Sequence, residues 1–145
     1  MQIVRSVVID CHIDDVFAYV ADPLNDPAWC AKVERVEQVE GDGPGPGARY
    51  EVLHRPIPLR PARRMAHACV DWNPPQRIVW RENDGDDVID VTYELESVWT
   101  STRFTQRDEV RLGAPRPLHP LLRIGIGRDV ARQLRTLRRV LERRE

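Results

Sequence analysis

Lysine is almost missing from this chain. Lys32 stands alone among 22 basic residues, and the rest are arginine. Cysteine is scarce too: Cys11, Cys30 and Cys69 are odd in number and far apart, which argues against a disulfide framework. No CxxC pair occurs, and His12, His54, His67 and His119 are scattered, so no metal site and no cofactor are expected. No apolar run approaches the length of a membrane span, so no transmembrane segment is expected. The stretch from Met1 to Arg5 lacks a charged region followed by an apolar one. No signal peptide is therefore read there, and the expected location is cytoplasmic. The glycine cluster at 41–47 opens no helix and is not followed by Lys-Ser or Lys-Thr, which excludes a phosphate-binding loop. No nucleic-acid motif accompanies the arginines, so no nucleic-acid partner is expected.

What remains is a 145-residue chain, 41% apolar and 31% charged, which fits one globular domain over 1–145. The last thirty residues carry its clearest pattern. Leu122, Ile126, Val130, Leu134, Leu137 and Leu141 recur at steps of three and four, which predicts an amphipathic helix over 118–144. Arg128, Arg132, Arg135 and Arg139 fall on roughly the opposite face. Strands are predicted over 3–10, 33–40, 48–55, 63–72, 77–82, 88–97 and 102–111, separated by Gly and Pro clusters. A short helix begins near Asp14-Asp15 and ends at Asp22-Pro23. The segment 25–29 is a turn or a second short helix, 41–47 is a hairpin loop, and the prolines of 56–61 stiffen a connection.

Strand alternation nominates the interior. Ile89, Val91, Tyr93 and Leu95 share one face, and Phe104 brings Thr102, Gln106, Asp108 and Val110 with it. Ala48, Tyr50, Val52 and His54 face inward by the same rule, as do Ile78 and Trp80, which carry Glu82 along. In the strand over 63–72, Ala66, Ala68, Val70 and Trp72 are expected inside. Asp108 is placed at the solvent end of its strand. Gly125 and Gly127 either leave space beside the helix or mark a late start or kink. A curved sheet against a long helix leaves a cavity, and a cavity suggests a small-molecule ligand. The expected lining is Tyr50, Val52, His54, Ala68, Trp80, Ile89, Val91, Tyr93, Phe104, Gln106, Ile126 and Val130.

Charge is unevenly distributed. Residues 1–110 carry a net charge of −8 and residues 111–145 a net of +7. Either the basic helix complements acidic strands and turns of the same molecule, or it meets an anionic partner. On the strand following the 88–97 segment, Arg103 and Arg107 face out, where they can pair with Asp90 and Glu94.

The order of elements and several short motifs complete the pattern. These are Asp15-x-Phe17-x-x-Val20-x-Asp22, Pro27-x-Trp29, Trp72-Asn73-Pro74-Pro75-x-Arg77-Ile78-Val79-Trp80, Thr102-Arg103-Phe104-Thr105, and the terminal Leu134-x-x-Leu137-x-x-x-Leu141-Glu142. Over nearly its whole length the chain resembles the START-like superfamily, in its bacterial polyketide cyclase/dehydrase branch. The resemblance implies an α+β helix-grip fold: a curved antiparallel sheet of six to seven strands around the long C-terminal helix, with an internal pocket. It implies a hydrophobic small-molecule partner and a monomer or weak homodimer. It carries over no fixed catalytic set.

Three functions stay open. The first is a carrier or sensor that binds a lipid- or polyketide-like molecule, placed slightly ahead because no catalytic constellation stands out. The alternative is a polyketide cyclase or dehydratase using pocket acid–base groups. The third is an interaction protein. For an enzyme, His54 and Tyr50 are the candidate pair, an imidazole that titrates near neutrality and a hydroxyl that can support an oxyanion, holding a carbonyl between them.

Overall fold

The computed structural model describes residues 1–55, 59 and 61–144. Most of the stiff connection expected at 56–61 lies outside the described residues. Seven antiparallel strands run β1 (Gln2–Ile9), β2 (Val33–Glu40), β3 (Arg49–His54), β4 (Arg63–Asn73), β5 (Arg77–Asn83), β6 (Val88–Val98) and β7 (Ser101–Arg111). Their order in the sheet is β1-β7-β6-β5-β4-β3-β2. Between β1 and β2 lie α1 (Ile13–Val20) and the single turn α2 (Asp26–Trp29), and the chain closes with α3 (His119–Arg143). This is a helix-grip-like arrangement, with α3 laid along β1 and touching α2.

Local chemistry explains each boundary. His12 caps α1 by accepting from the Asp14 N–H, and Asp14 and Asp15 sit in the first turn. Asp22 accepts from the Leu24 N–H and starts the next turn. The glycine loop between β2 and β3 is clasped by one side chain. Gln38 donates to the Glu40 and Gly43 carbonyls and accepts from the Gly43 N–H. Gly41, Gly43, Gly45 and Gly47 all have positive φ there, which other residues adopt at a cost. In β2 the ladder shifts register twice, between Val33 and Arg35 and between Gln38 and Glu40.

The core joins α1 and α2 to the sheet. Val16, Phe17, Val20 and Trp29 pack with Ile78, Tyr93, Leu95 and Phe104, and α3 adds Val130, Leu134, Leu137 and Leu141. The apolar stripe of α3 is thus buried along its C-terminal half. Toward the N-terminal end, Leu122 and Ile126 are only half-buried. α3 runs through both glycines without interruption, from His119 to Arg143. Gly127 makes room for Arg5 of β1: a Cβ there would come within 2.6 Å of the guanidinium. Gly125 faces open space.

One facing is reversed. In β4, Met65 and His67 are buried, while Ala66 and Val70 are exposed and Ala68 is only partly covered. Ala68 pairs with Arg49 and Arg81, both exposed, and so lies on the outer face. The cause is a bulge between Cys69 and Asp71, which advances the strand by one residue. Trp72, beyond the bulge, faces in against Phe17 with ring centroids 5.4 Å apart. Counting back by twos from Trp72 therefore lands on the wrong face. Trp99 is exposed at the tip of the β6–β7 hairpin.

Arginines on the outer sheet face are matched within the sheet. Arg81 pairs with Asp90, Arg107 with Glu94, Arg103 with Glu96 and Arg64 with Glu51. Glu94 takes the expected partner, whereas Asp90 takes one from β5 and Arg103 reaches Glu96. Among the described residues, no arginine of α3 forms an ion pair with an acid of the sheet.

The burial gradient along α3 gives a stability expectation. Leu137→Ala should lower the unfolding free energy by about 2–5 kcal/mol. Leu121→Ala, on the exposed side, should stay within about 0.5 kcal/mol. Urea titration of the two variants checks this, and equal losses would mean that the N-terminal half of α3 is packed after all.

Candidate functional site

Strand register assembles the site row by row. One row across the inner face runs Tyr50, His67, Glu82, Ile89 and Val110 on β3 to β7. The next runs Trp80, Val91, Asp108 and Ile3. A third runs Ile78, Tyr93, Gln106 and Arg5. Directly opposed side chains lie about 4.5–5.5 Å apart at Cβ, so each row is a line of touching groups.

His67 is the hub of the first row and is 3% exposed. Its ring stacks on Trp80 with centroids 4.6 Å apart, and Tyr50 meets both rings edge-on, at 6.2 Å from His67 and 5.8 Å from Trp80. Its Nδ1 lies 3.1 Å from Glu82 Oε1, an ion-pair distance whose direction falls short of a hydrogen bond. Its Nε2 and the Tyr50 hydroxyl are both buried with no hydrogen-bond partner among the described residues. Buried polar atoms are nearly always partnered, so two on adjacent strands without a partner among the described residues mark a point that can receive a further polar group.

The second and third rows add acids and donors. Asp108 is 6% exposed and accepts from Gln106 Nε2 at 3.1 Å, and the Gln106 carbonyl oxygen has no partner among the described residues. Asp108 is not at a solvent end, because β1 pairs alongside and sets Ile3 next to it. Asp26, at the start of α2, is buried with one oxygen unpartnered, and so is the Trp29 indole nitrogen. Trp29 stands 6.0 Å from Tyr93 and 6.3 Å from Phe104 by ring centroids.

Burial sets the protonation of this interior. It pushes Asp26 well above the usual carboxylate range, with Glu82 and Asp22 adding repulsion. It pushes Asp108 up to about 7, the Gln106 hydrogen bond opposing and Glu82 reinforcing. It pushes Tyr50 up to about 12 and Tyr93 well above its ordinary value, so both stay hydroxyl donors. Glu82 differs: burial would raise it, but the His67 ring, helped by His54, outweighs that and holds it below its ordinary value. A carboxylate held charged at Glu82, beside Asp26 held neutral and Asp108 half-neutral near pH 7, is an environment-imposed division of labour.

Of the sequence-predicted lining, Tyr50, Val52, Trp80, Val91, Tyr93, Phe104, Gln106 and Val130 are buried, and Ile89 and Ile126 half-buried. Ala68 is on the outer face, for the reason given above. His54 is half-buried on the inner side of β3, and burial lowers its pKa against the pull of Glu82. His54 and Tyr50 are four residues apart on one strand, about 13 Å of strand rise. His67 joins the site because Met65 and His67, not Ala66 and Ala68, face in on β4, and Asp26 lies outside the sequence-predicted lining. A buried histidine opposite Tyr50 needs the β4 phase, and Asp26 is drawn in only because Trp29 anchors a one-turn helix.

An open cleft of about 510 Å³ lies between α2, the start of β2, and α3, with Trp29, Lys32, Asp129 and Arg132 on its walls. Lys32 and Asp129 form an ion pair across it. Trp29 lines this cleft and also packs against Tyr93, so it stands between the cleft and the polar interior. Among the described residues, no group of three His, Cys, Asp or Glu side chains could hold a metal ion. No helix among them is long and apolar enough to cross a membrane.

A family model described as polyketide cyclase / dehydrase and lipid transport matches residues 1–142. No curated protein matches by sequence. Among solved structures, TTHA0849 from Thermus thermophilus superposes with a TM-score of 0.80 at 17% identity, over 96% of this chain and 95% of that one. The Zhui aromatase/cyclase from Streptomyces sp. R1128 gives 0.77 at 15% identity, over 99% and 94%. The di-domain aromatase/cyclase BexL from the BE-7585A biosynthetic pathway gives 0.77 at 15% identity, over 98% of this chain and 46% of that one. At these identities the likeness is one of fold.

Asp108 supplies the second expectation. Its carboxyl titrates near 7 when folded and near its ordinary value, about 3.9, when unfolded. Between those values the folded state holds a proton that the unfolded state has lost, so stability falls as pH rises, by at most about 4 kcal/mol. Asp108→Asn keeps the oxygen that accepts from Gln106 and removes the titration. Its melting temperature should exceed that of the parent above pH 7, and the gap should close toward acid pH. A gap that does not change with pH would place Asp108 in contact with solvent.

Proposed function

The chain belongs to the polyketide cyclase / dehydrase and lipid transport family, and we propose that it is a cyclase- or dehydratase-type enzyme acting on a polyketide-like carbonyl compound held inside the sheet. The observation that carries this is the pair of unpartnered buried atoms, His67 Nε2 and the Tyr50 hydroxyl, backed by the Glu82 carboxylate. A carrier of apolar ligands has no need for such a group, since every buried polar atom costs free energy unless something pairs with it. In this reading the apolar side chains packed in the same interior, Trp80, Val91 and Tyr93, take the hydrocarbon part of the ligand.

The geometry supports the following roles. Glu82 holds the His67 ring by its Nδ1 side and stabilises positive charge on it. Nε2 then takes a proton from a methylene carbon flanked by carbonyls. The Tyr50 hydroxyl donates to the carbonyl oxygen on which negative charge develops. The resulting carbanion attacks a second carbonyl carbon of the same molecule and closes a ring. His67 returns the proton to the new alkoxide, and loss of water completes a dehydration. Asp108, protonated in part near neutrality, is a second acid on the same face. His54 stands nearer the cleft, where Lys32 and Asp129 influence it, and serves binding more than proton transfer.

Tyr50→Phe and His67→Gln separate enzyme from carrier. The Tyr50 hydroxyl has no partner among the described residues, so its removal should leave the fold intact. With a poly-β-ketone thioester analogue and product absorbance as readout, both variants should lose about 10²-fold or more in turnover. Affinity measured by tryptophan quenching should stay within a few fold. His54→Ala should mainly weaken affinity. Turnover within about twofold of the parent for both inner variants, far short of an acid–base contribution, would remove this mechanism. No turnover by the parent alongside firm binding would make the protein a carrier.

A further inference from the structure

The outward face of α3 is unlike the rest of the surface. Leu121 and Ile124 lie at its N-terminal end, 71% and 54% exposed, next to Leu118 at 48%. Gly125 on the same side faces open space. Behind them Arg128, Arg132, Arg135, Arg139 and Arg143 follow at steps of four, three, four and four, which keeps them on one stripe about 22 Å long. None of these five takes part in an ion pair among the described residues, while the sheet arginines do. The acids of α3 within the described residues are used elsewhere. Asp129 pairs with Lys32, and Glu142 accepts from Arg138 and from the Asp10 N–H. Among the described residues the stripe is therefore cationic, with an apolar tip and no ion-paired countercharge.

We propose that this face docks the protein on an anionic phospholipid bilayer, the arginine stripe lying on the headgroups and Leu118, Leu121 and Ile124 entering the interface. A straight row of charges matches a plane. The apolar tip separates the bilayer from nucleic acid, because a phosphate backbone would satisfy the arginines and leave three large side chains in water. Docking would also hold α3, and the cleft beside Asp129 and Arg132, against the source of an apolar ligand. It stands apart from the reaction proposed above: vesicle binding reads the surface and turnover reads the interior.

The experiment is co-sedimentation of the full chain with vesicles of phosphatidylcholine, with and without phosphatidylglycerol. Binding is expected on the anionic vesicles alone, weakening as salt is raised. An arginine near an anionic surface contributes about fivefold in partition, so Arg135→Glu with Arg139→Glu should lower it about 25-fold or more. Leu121→Ser with Ile124→Ser should lower it as well. All four side chains are exposed, and circular dichroism and melting temperature should match the parent. Equal partition onto neutral and anionic vesicles, or none onto either, overturns the proposal. So does binding that survives the double arginine reversal or the double serine replacement. Binding to poly-glutamate with none to vesicles also overturns it, in favour of an acidic protein partner.

Discussion

A β-strand offers two phases, and β4 uses both. Up to Cys69 its inward side chains are the odd-numbered ones, which puts His67 between Tyr50 and Glu82. After the bulge the even-numbered ones point in, which puts Trp72 against Phe17. Without the extra residue, one of these two contacts would be lost: either the core beneath α1 would lack its tryptophan, or the interior would contain Ala66 and Ala68 in place of Met65 and His67. A bulge also bends and twists its strand more strongly than regular pairing does. The same backbone irregularity therefore shapes the sheet and selects which side chains it presents.

That interior combines two regions of opposite character. Around Phe104, Leu95, Ile78 and Trp29, aromatic and aliphatic side chains supply the usual hydrophobic stabilisation. Around His67, Asp108, Asp26 and the half-buried Glu82, titratable groups removed from water oppose folding, since each must be neutralised or paired. The molecule sustains the second region because the first, together with the C-terminal half of α3, is extensive. Apolar packing is concentrated where α1, α2 and the end of α3 meet the sheet, and the polar groups lie mainly along the central strands, with Asp26 of α2 added to them.

Much of this was legible in the sequence and some was not, for identifiable reasons. The spans of the strands and of α3 follow from short-range patterns, and the structure keeps them within a residue or two. The inner face of β6 and β7 follows from unbroken alternation, from Ile89 to Leu95 and from Thr102 to Val110. The face of β4 does not, because its bulge leaves no mark in composition. Asp108 looks terminal along its own strand and is buried only because β1, about a hundred residues earlier in the chain, pairs beside it. The charge imbalance was visible at once. What it meant required seeing that the sheet's acids and arginines match one another and leave α3 over.

An open seven-stranded sheet has two edges where backbone donors and acceptors could recruit another strand. At the β2 edge the hydrogen-bond repeat is broken twice, near Arg35 and near Gln38, and the glycine loop clasped by Gln38 adjoins the second break. Glu34, Arg35, Glu37 and Glu40 stand along it, exposed. An incoming strand would find no continuous ladder to extend and would have to bring charged side chains together. The irregularities of β2 thus act as a stop signal for lateral growth, allowing the fold to remain an unclosed sheet without becoming a template for fibres.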